Sequence, residues 1–164
     1  MSWRVAPIKI NKLRAVNLVD NDIGKKRHKL YKGAFAQAKL AIENGFYIEV
    51  IAISESIIAD RLEARRAFLA KQDPSKRGFR TLGTLLDALA KDDDQADDAL
   101  IKAYKKVQAW EPKRNFAVHE LVKLREDLLE DDWDSRYLAL KIAAEEGLKA
   151  ARAVSTAVTR SNKH

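Results

Sequence analysis

The chain has 164 residues, of which 46% are hydrophobic and 34% charged, with six glycines, three prolines and no cysteine. This composition indicates one soluble helical domain with a buried core, and it excludes a disordered, disulfide-stapled or thiolate-dependent protein. No apolar run reaches membrane-spanning length and the N-terminus has no signal-like apolar segment, so we expect a cytoplasmic protein that does not enter a membrane.

The net charge of +7 is concentrated at the N-terminus. Residues 1–40 hold ten basic and two acidic side chains, a balance of +8, whereas the other 124 residues have a balance of −1. The densest part is the run KKRHK, whose cations Lys25, Lys26, Arg27 and Lys29 are candidates for binding RNA phosphates. The alternative is an arm that keeps the protein soluble or docks on an acidic face of the same fold.

Two long helices are predicted between residues 30 and 70. The first carries apolar residues at helical spacing (Tyr31, Phe35, Ala38, Ile42) and ends at Asn44-Gly45, a C-cap signal. Segment 46–70 contains neither glycine nor proline. Its β-branched opening is compatible with a strand, but its length and its apolar stripe favour a helix (Val50, Ile53, Ile57, Ala64, Phe68). So short a turn between two helices predicts an antiparallel αα-hairpin.

The second half of the chain predicts further helices after a basic loop at 71–80. A short helix is expected in TLGTLLDALAK, and the DDD run at 92–94 is expected to cap a helix over Gln95–Trp110. Pro112 is typical of a first helical turn and predicts another helix that runs to about Leu129.

Asp134 or Ser135 is expected to cap the last helix, in which Ala143 and Gly147 would allow a close helix contact. The sequence therefore predicts an all-α bundle of five to six helices built on the long hairpin.

Three segments are predicted along the chain. Residues 1–29 form a basic N-terminal arm with a short extended piece at Val5–Ile10, residues 30–158 form the helical bundle, and residues 159–164 form a C-terminal tail.

The segment EPKRNFAVHE (111–120) holds the candidate reaction centre, Arg114, Asn115 and His119. On a helix, an apolar stripe would face the core (Ala117, Leu121, Leu124, Leu128), and Asn115 and His119 would lie one turn apart on the opposite side. We therefore expect His119 to face water or a partner rather than its own core.

The segment RNFAVH resembles the Arg-(polar)-x-x-x-His signature of the HEPN superfamily, compact helical bundles common in toxin–antitoxin, phage-defence and CRISPR systems. The stretch KLAIENGFYIEVIAISESIIADRLEARRAFL also looks like small plasmid- or defence-associated members, and the resemblance covers about residues 30 to 158. It implies a metal-independent endoribonuclease without a cofactor. It also implies a homodimer whose two motifs face each other, restrained by an antitoxin or sensor protein.

The residue chemistry suits this activity. Imidazole is the side-chain group suited to proton transfer near neutral pH, so His119 can take a proton from an RNA 2′-hydroxyl or give one to the leaving 5′-oxygen. Arg114 can hold the phosphate by a bidentate contact, and Asn115 can orient the phosphate or the imidazole. One histidine cannot easily act as both acid and base, which is a chemical reason for two subunits.

Arg61 and Arg65 project from inside the broad apolar arc of the second helix, so each needs an acidic partner or a phosphate. A salt bridge to a neighbouring helix is the favoured interpretation, and Glu55 could be such a partner or lie near the reaction centre. The acidic runs DDD and EDDWD lie at helix boundaries, where capping explains them, so no metal site is predicted.

Two alternatives to the ribonuclease remain open. The first is a catalytically silent HEPN module that binds RNA, a nucleotide or a partner protein. The second is a basic helical DNA-binding protein in which the N-terminal arm makes the contacts.

Overall fold

The computed structural model describes residues 21–71, 81–124, 126–128 and 132–162. Over these ranges the chain forms five α-helices and no strand: α1 (Asn21–Glu43), α2 (Tyr47–Ala70), α3 (Leu82–Asp92), α4 (Asp98–Asn115) and α5 (Trp133–Ser161). A π-helical turn (Phe116–Glu120) follows α4, and a 3₁₀ helix (Glu126–Leu128) precedes α5. The predicted all-α bundle is confirmed, including a helix across residues 47–70.

Several predictions concern residues outside the described ranges. These are the extended piece at Val5–Ile10, almost all of the loop at 71–80, and the far end of the motif helix near Leu129. Helices α1 and α5 cross the expected segment boundaries at 29/30 and 158/159, so the separate arm and tail stay predictions.

The turn of the α1–α2 hairpin is formed at Gly45, where the sequence predicts a helix C-cap. Gly45 has φ +76°, a left-handed conformation that glycine adopts without a steric penalty. The Phe46 amide donates to the Ala41 carbonyl at 2.8 Å and the Gly45 amide to that of Ile42 at 3.1 Å, the two bonds of a Schellman motif. This turn reverses the chain within three residues and lays α2 back along α1.

Helix α2 lies at the centre of the bundle and packs most extensively on α5. Val50 and Ile57 are buried as predicted, but Ile53 and Phe68 are only half-buried. The predicted stripe was therefore misplaced by part of a turn. The centre of the buried face also includes Ile51, Ile58 and Leu62, because α5 covers that side of the broad apolar arc.

Single aspartates cap the later helices, but they are not the ones predicted. Asp97, rather than the DDD run, caps α4 by accepting a hydrogen bond from the Leu100 amide at 2.8 Å. Asp132, rather than Asp134 or Ser135, caps α5 by accepting from the Ser135 amide at 2.8 Å. Both predictions missed by a few residues, because the sequence offers several aspartates close together and any one of them can cap a helix.

The middle aspartate of the DDD run makes a buried ion pair instead. Arg65 donates from Nε and Nη2 to the two carboxylate oxygens of Asp93, each at 2.8 Å, and both side chains are almost fully buried. Tyr104 donates a further hydrogen bond to Asp93 at 2.8 Å. Burial by itself would raise the pKa of Asp93, but the hydrogen bonds from Arg65 and Tyr104 hold it below its usual range. The cluster joins α2, the end of α3, and α4.

Helix α4 is held on α5 by a buried tryptophan. Trp110 is 1% exposed, and its indole Nε1 donates to the Ala143 carbonyl at 2.7 Å. A Cβ atom added to Gly147 would lie 2.8 Å from the indole ring, so a glycine is needed where the two helices meet. The close contact expected at Ala143 and Gly147 is confirmed.

None of the helices in the described parts of the chain is long and apolar enough to cross a membrane.

We expect Gly147→Ala to lower the free energy of unfolding by about 1–3 kcal/mol, because the new methyl group must displace the Trp110 ring in a close-packed seam. Urea denaturation followed by far-UV circular dichroism measures this. Gly33→Ala in α1 is the matched control, since no atom lies within 4 Å of its added Cβ. That change should stabilise the protein by about 0.5–1 kcal/mol through helix propensity. Equal effects of the two changes would contradict the packing argument.

We expect Asp93→Asn to lower the free energy of unfolding at pH 7 by about 3–5 kcal/mol, because it leaves the Arg65 charge buried without its partner. The stability that Asp93 contributes is present above its unfolded pKa of about 3.9. This contribution is lost as the pH falls through the lower pKa that Asp93 has in the folded protein. The free energies of unfolding of Asp93→Asn and of the parent protein should therefore converge in acid. Exposed Asp94→Asn should change stability by less than about 0.5 kcal/mol.

Candidate functional site

Arg114 lies in the last turn of α4 and reaches across to α2. Its Nε donates to Glu55 Oε2 at 2.8 Å, and its Nη2 donates to the other carboxylate oxygen. Its Nη1 donates to Asn115 Oδ1 at 2.6 Å. Both Arg114 and Glu55 are partly buried, so the guanidinium is held in one orientation by two elements of the fold.

The Glu55 contact uses one edge of the Arg114 guanidinium. An arginine has five N–H donors in a planar fork, and three of them are used by Glu55 and Asn115. Two donors, one on each terminal nitrogen, are left for a further acceptor. An oxyanion that reaches these two donors would meet a charged group that is already oriented.

His119 lies in the π-helical turn and is exposed to solvent. Residues five apart in an α-helix point about 140° away from each other around the axis. The π-helix hydrogen-bonds residues five apart and rotates less per residue, so it brings His119 nearer to the side of Arg114. Single π-turns inside α-helices occur frequently at functional sites.

The predicted start of the motif helix at Pro112 is wrong. Pro112 lies inside α4, which continues unbroken to Asn115, so the motif is at the end of a helix rather than at the beginning of one. A proline inside a helix removes one backbone hydrogen bond. Trp110 before it and the Arg114–Glu55 pair after it hold the chain in helical conformation, and these tertiary contacts override the local signal.

The expected core stripe of the motif segment is correct only at its beginning. Ala117 is buried and Leu121 half-buried, but Leu124 is 84% exposed. The side chain of Leu128 lies outside the described residues. The helical period cannot continue here because the chain leaves the helix in a turn at residues 121–122.

Arg136 of α5 holds the end of the motif segment, a role that the sequence reading missed. Its Nη1 donates to the carbonyls of Leu121 and Lys123, at 2.8 and 2.9 Å, and the side chain is 7% exposed. These bonds satisfy carbonyls that a helix end leaves without partners. The available signal was helical spacing, since Arg136 precedes buried Leu140 and Ala143 by four and seven positions.

Arg61 and Arg65, the two arginines predicted to need an acidic partner or a phosphate, have different partners. Arg65 makes a salt bridge of the predicted kind, but its partner is Asp93 at the end of α3. Arg61 donates to the Tyr31 hydroxyl at 2.9 Å and lies 3.6 Å from Asp60 of its own helix. Neither contacts Glu55, which instead binds Arg114 near the candidate reaction centre. Ten residues separate Glu55 from Arg65, about 15 Å along α2, so that arginine is remote from the motif.

The basic run lies on α1. Lys25, Lys26 and Lys29 are exposed, whereas Arg27 is half-buried, 3.5 Å from Asp60. Asp60 and Glu55 are about 140° apart around α2. The basic run and Arg114 therefore meet α2 on different sides, and the structure does not bring these two groups together.

No family model matches the chain, and neither the curated proteins nor the solved structures include a significant match. The resemblance in the RNFAVH segment therefore stays a prediction.

Proposed function

We propose that the protein is a metal-independent endoribonuclease of HEPN type that acts as a homodimer on RNA. One observation carries the proposal: Glu55 and Asn115 fix the Arg114 guanidinium with two donors left over, and exposed His119 follows within one π-turn. A phosphate-binding cation and a proton-transfer group are the two parts that this reaction needs from the protein.

In the proposed reaction, the remaining edge of Arg114 binds the non-bridging oxygens of the scissile phosphate. Charge builds on those oxygens as the 2′-hydroxyl attacks, and a fixed cation stabilises it without having to reorganise. Glu55 is a positioning residue in this scheme. It holds the planar fork and lowers the cost of ordering a long side chain when RNA binds.

His119 supplies the proton transfers. One imidazole takes the proton of the 2′-hydroxyl, the oxygen attacks phosphorus, and the 5′-oxygen leaves with a proton from a second imidazole. The products are a 2′,3′-cyclic phosphate and a free 5′-hydroxyl. Since the motif contains one histidine, the second imidazole comes from the other subunit.

The surroundings of His119 support a contact between two copies. Val118, Val122 and Leu124 are 44%, 81% and 84% exposed, and all three lie within five residues of His119. Arg136 ties this segment to the start of α5, where Trp133 and Leu138 are each 56% exposed. Several large exposed apolar side chains in neighbouring segments are candidates for an interaction site. A twofold axis here would bring the two His119 side chains towards each other.

One observation favours a second candidate, the catalytically silent module. Glu55 neutralises Arg114 within the subunit, so the arginine needs no phosphate to be stable where it is. As a silent module, the protein would bind RNA, a nucleotide or a partner protein without cleaving it. The two candidates differ in whether His119 is required for a chemical step.

We expect His119→Ala to reduce the cleavage rate of a labelled RNA at least about 100-fold while the Kd for that RNA changes less than threefold, because removal of a general acid–base group affects the chemical step. Arg114→Ala should weaken both cleavage and binding. Gln108→Ala, at another exposed position of α4, is the control and should cleave like the parent protein. Cleavage should persist in EDTA, and the product end should be a cyclic phosphate. RNA cleavage that survives His119→Ala would favour the silent module.

Glu55→Gln tests the positioning role. The amide keeps the shape of the side chain but donates where the carboxylate accepts, so the guanidinium loses its fixed orientation. We expect kcat to fall about tenfold, with partial recovery in Glu55→Asp and an unchanged pH profile, since His119 still transfers the proton. An unchanged kcat would show that Glu55 has only a structural role.

We expect a dimer in sedimentation at micromolar concentration, and we expect Val122→Glu with Leu124→Glu to raise its Kd at least about tenfold by placing charge in an apolar contact. Leu40→Glu on α1 is the control, since Leu40 is 54% exposed but lies on another helix. A monomeric parent protein would contradict the twofold arrangement.

A further inference from the structure

A groove of about 540 Å³ runs along the seam between α4 and α5. Its floor is made mostly of alanines, two of which are buried in the core. The rim is basic on both sides, with Lys102 and Lys106 on α4 and Lys149, Arg152 and Arg160 on α5. The two helices are antiparallel, because Asp97 at the start of α4 pairs with Arg160 near the end of α5.

The basic rim arises from two stretches without acidic residues. Residues 99–110 and 147–161 hold three cations each and no acid. Some exposed cations elsewhere in the described structure are paired with carboxylates, as in the Lys113–Glu146 and Lys39–Glu43 pairs. Cations placed one turn apart, or across a groove from one another, repel each other. An arrangement of this kind is relieved by an anion bound between the two walls.

Two of the five rim cations already have partners, and three are available. Arg160 pairs with Asp97 at 2.8 Å, and Arg152 lies over the Phe35 ring, 5.8 Å from its centroid. Lys102, Lys106 and Lys149 are exposed, and none of them forms an ion pair with the residues that the structure describes. These three ammonium groups are free to bind a ligand.

The length of the rim suits a chain of phosphates. Lys149 and Arg160 are eleven residues apart, which is about 16 Å along a helix. Phosphates repeat about every 3.4 Å along one stacked strand, so the rim is long enough for about four or five of them. Beyond the groove, α4 continues to Lys113, which pairs with Glu146 of α5, and then to Arg114, the residue that binds the scissile phosphate in the proposed function.

We propose that the α4–α5 groove binds the sugar–phosphate backbone of single-stranded nucleic acid and, given the proposed ribonuclease function, leads RNA to Arg114. Lysines that contact phosphates position a strand without reading its sequence. An acidic protein segment is the less suitable occupant, because the groove is lined by alanines, a threonine and cations and offers no pocket for the aromatic or large aliphatic anchors that dominate protein interfaces.

The test compares the triple variant Lys102→Gln, Lys106→Gln, Lys149→Gln with the parent protein in a background of His119→Ala. The probes are two labelled oligonucleotides of one sequence, one of RNA and one of DNA. Fluorescence anisotropy across a salt series gives the slope of log Kd against log salt. Removing three phosphate contacts should reduce that slope by about 2 for a single strand, for both probes, because the groove contacts phosphates rather than the 2′-hydroxyl.

The control variant, Lys39→Gln, Lys71→Gln, Lys91→Gln, makes the same change in net charge at exposed positions that do not line the groove. Its slope should stay close to that of the parent protein. Equal slopes in the groove and control variants would overturn the proposal. Binding of polyglutamate, but of neither oligonucleotide, would overturn it in favour of an acidic protein partner.

These slopes, together with an RNA-cleavage assay on the parent protein with its native His119, separate the groove from the catalytic proposal. The DNA probe lacks the 2′-hydroxyl, so its binding is independent of cleavage. A reduced slope in the groove variant, together with no RNA cleavage by the parent protein, keeps the groove and rejects the ribonuclease. RNA cleavage by the parent protein together with an unchanged slope keeps the ribonuclease and rejects the groove.

Discussion

The contact of Trp110 with Ala143 and Gly147 is the constraint on which both candidate surfaces depend. The indole has its one polar group satisfied by the Ala143 carbonyl, and the missing side chain of Gly147 lets the helix axes come close together. Arg114 follows Trp110 by four residues, about one turn, so the seating of the tryptophan decides whether the guanidinium reaches Glu55. The same seam forms the floor of the basic groove.

Two arginine–carboxylate pairs hold neighbouring segments on α2, one at Arg65 and one at Glu55. Asp93 at the end of α3 binds Arg65 through both oxygens, and Arg114 of α4 binds Glu55 in the same bidentate way. Such pairs contribute little net stability when compared with apolar residues of the same size, but they demand one geometry. Apolar contacts alone would tolerate small rotations of α4, whereas a two-pronged hydrogen bond to Glu55 does not. The orientation of Arg114 is therefore set by the fold.

Much of the fold could be predicted from periodicity and one glycine. The hairpin follows from two long apolar patterns and from Gly45, because few residues adopt its backbone conformation. The helix starts were harder, since three aspartates at 92–94 and a fourth at Asp97 are equivalent caps by sequence alone. Asp93 is taken up by its buried pair with Arg65 and does not cap α4. These two residues are 28 positions apart in the chain, so the pair could not be predicted locally.

The candidate site was predictable in its residues but not in its arrangement. Arg114, Asn115 and His119 stand out in the sequence, yet Pro112 indicated a new helix where α4 continues. The partner of Arg114 could not be selected, because Glu55 lies 59 positions away and was equally suited to Arg61 or Arg65. The basic groove could not be predicted from the charge distribution along the chain, because its two walls come from α4 and α5 and are joined only by folding.

The π-turn makes the spacing of the motif a property of the backbone as well as of the sequence. A π-turn holds one more residue in each hydrogen-bonded ring than an α-helical turn does. Loss of a single residue between Arg114 and His119 would let the segment return to the α-helical hydrogen-bond pattern, in which residues four apart share a side. Arginine and histidine would then still be neighbours. A one-residue deletion here can thus be absorbed by a change of helix type that keeps the two side chains on one side.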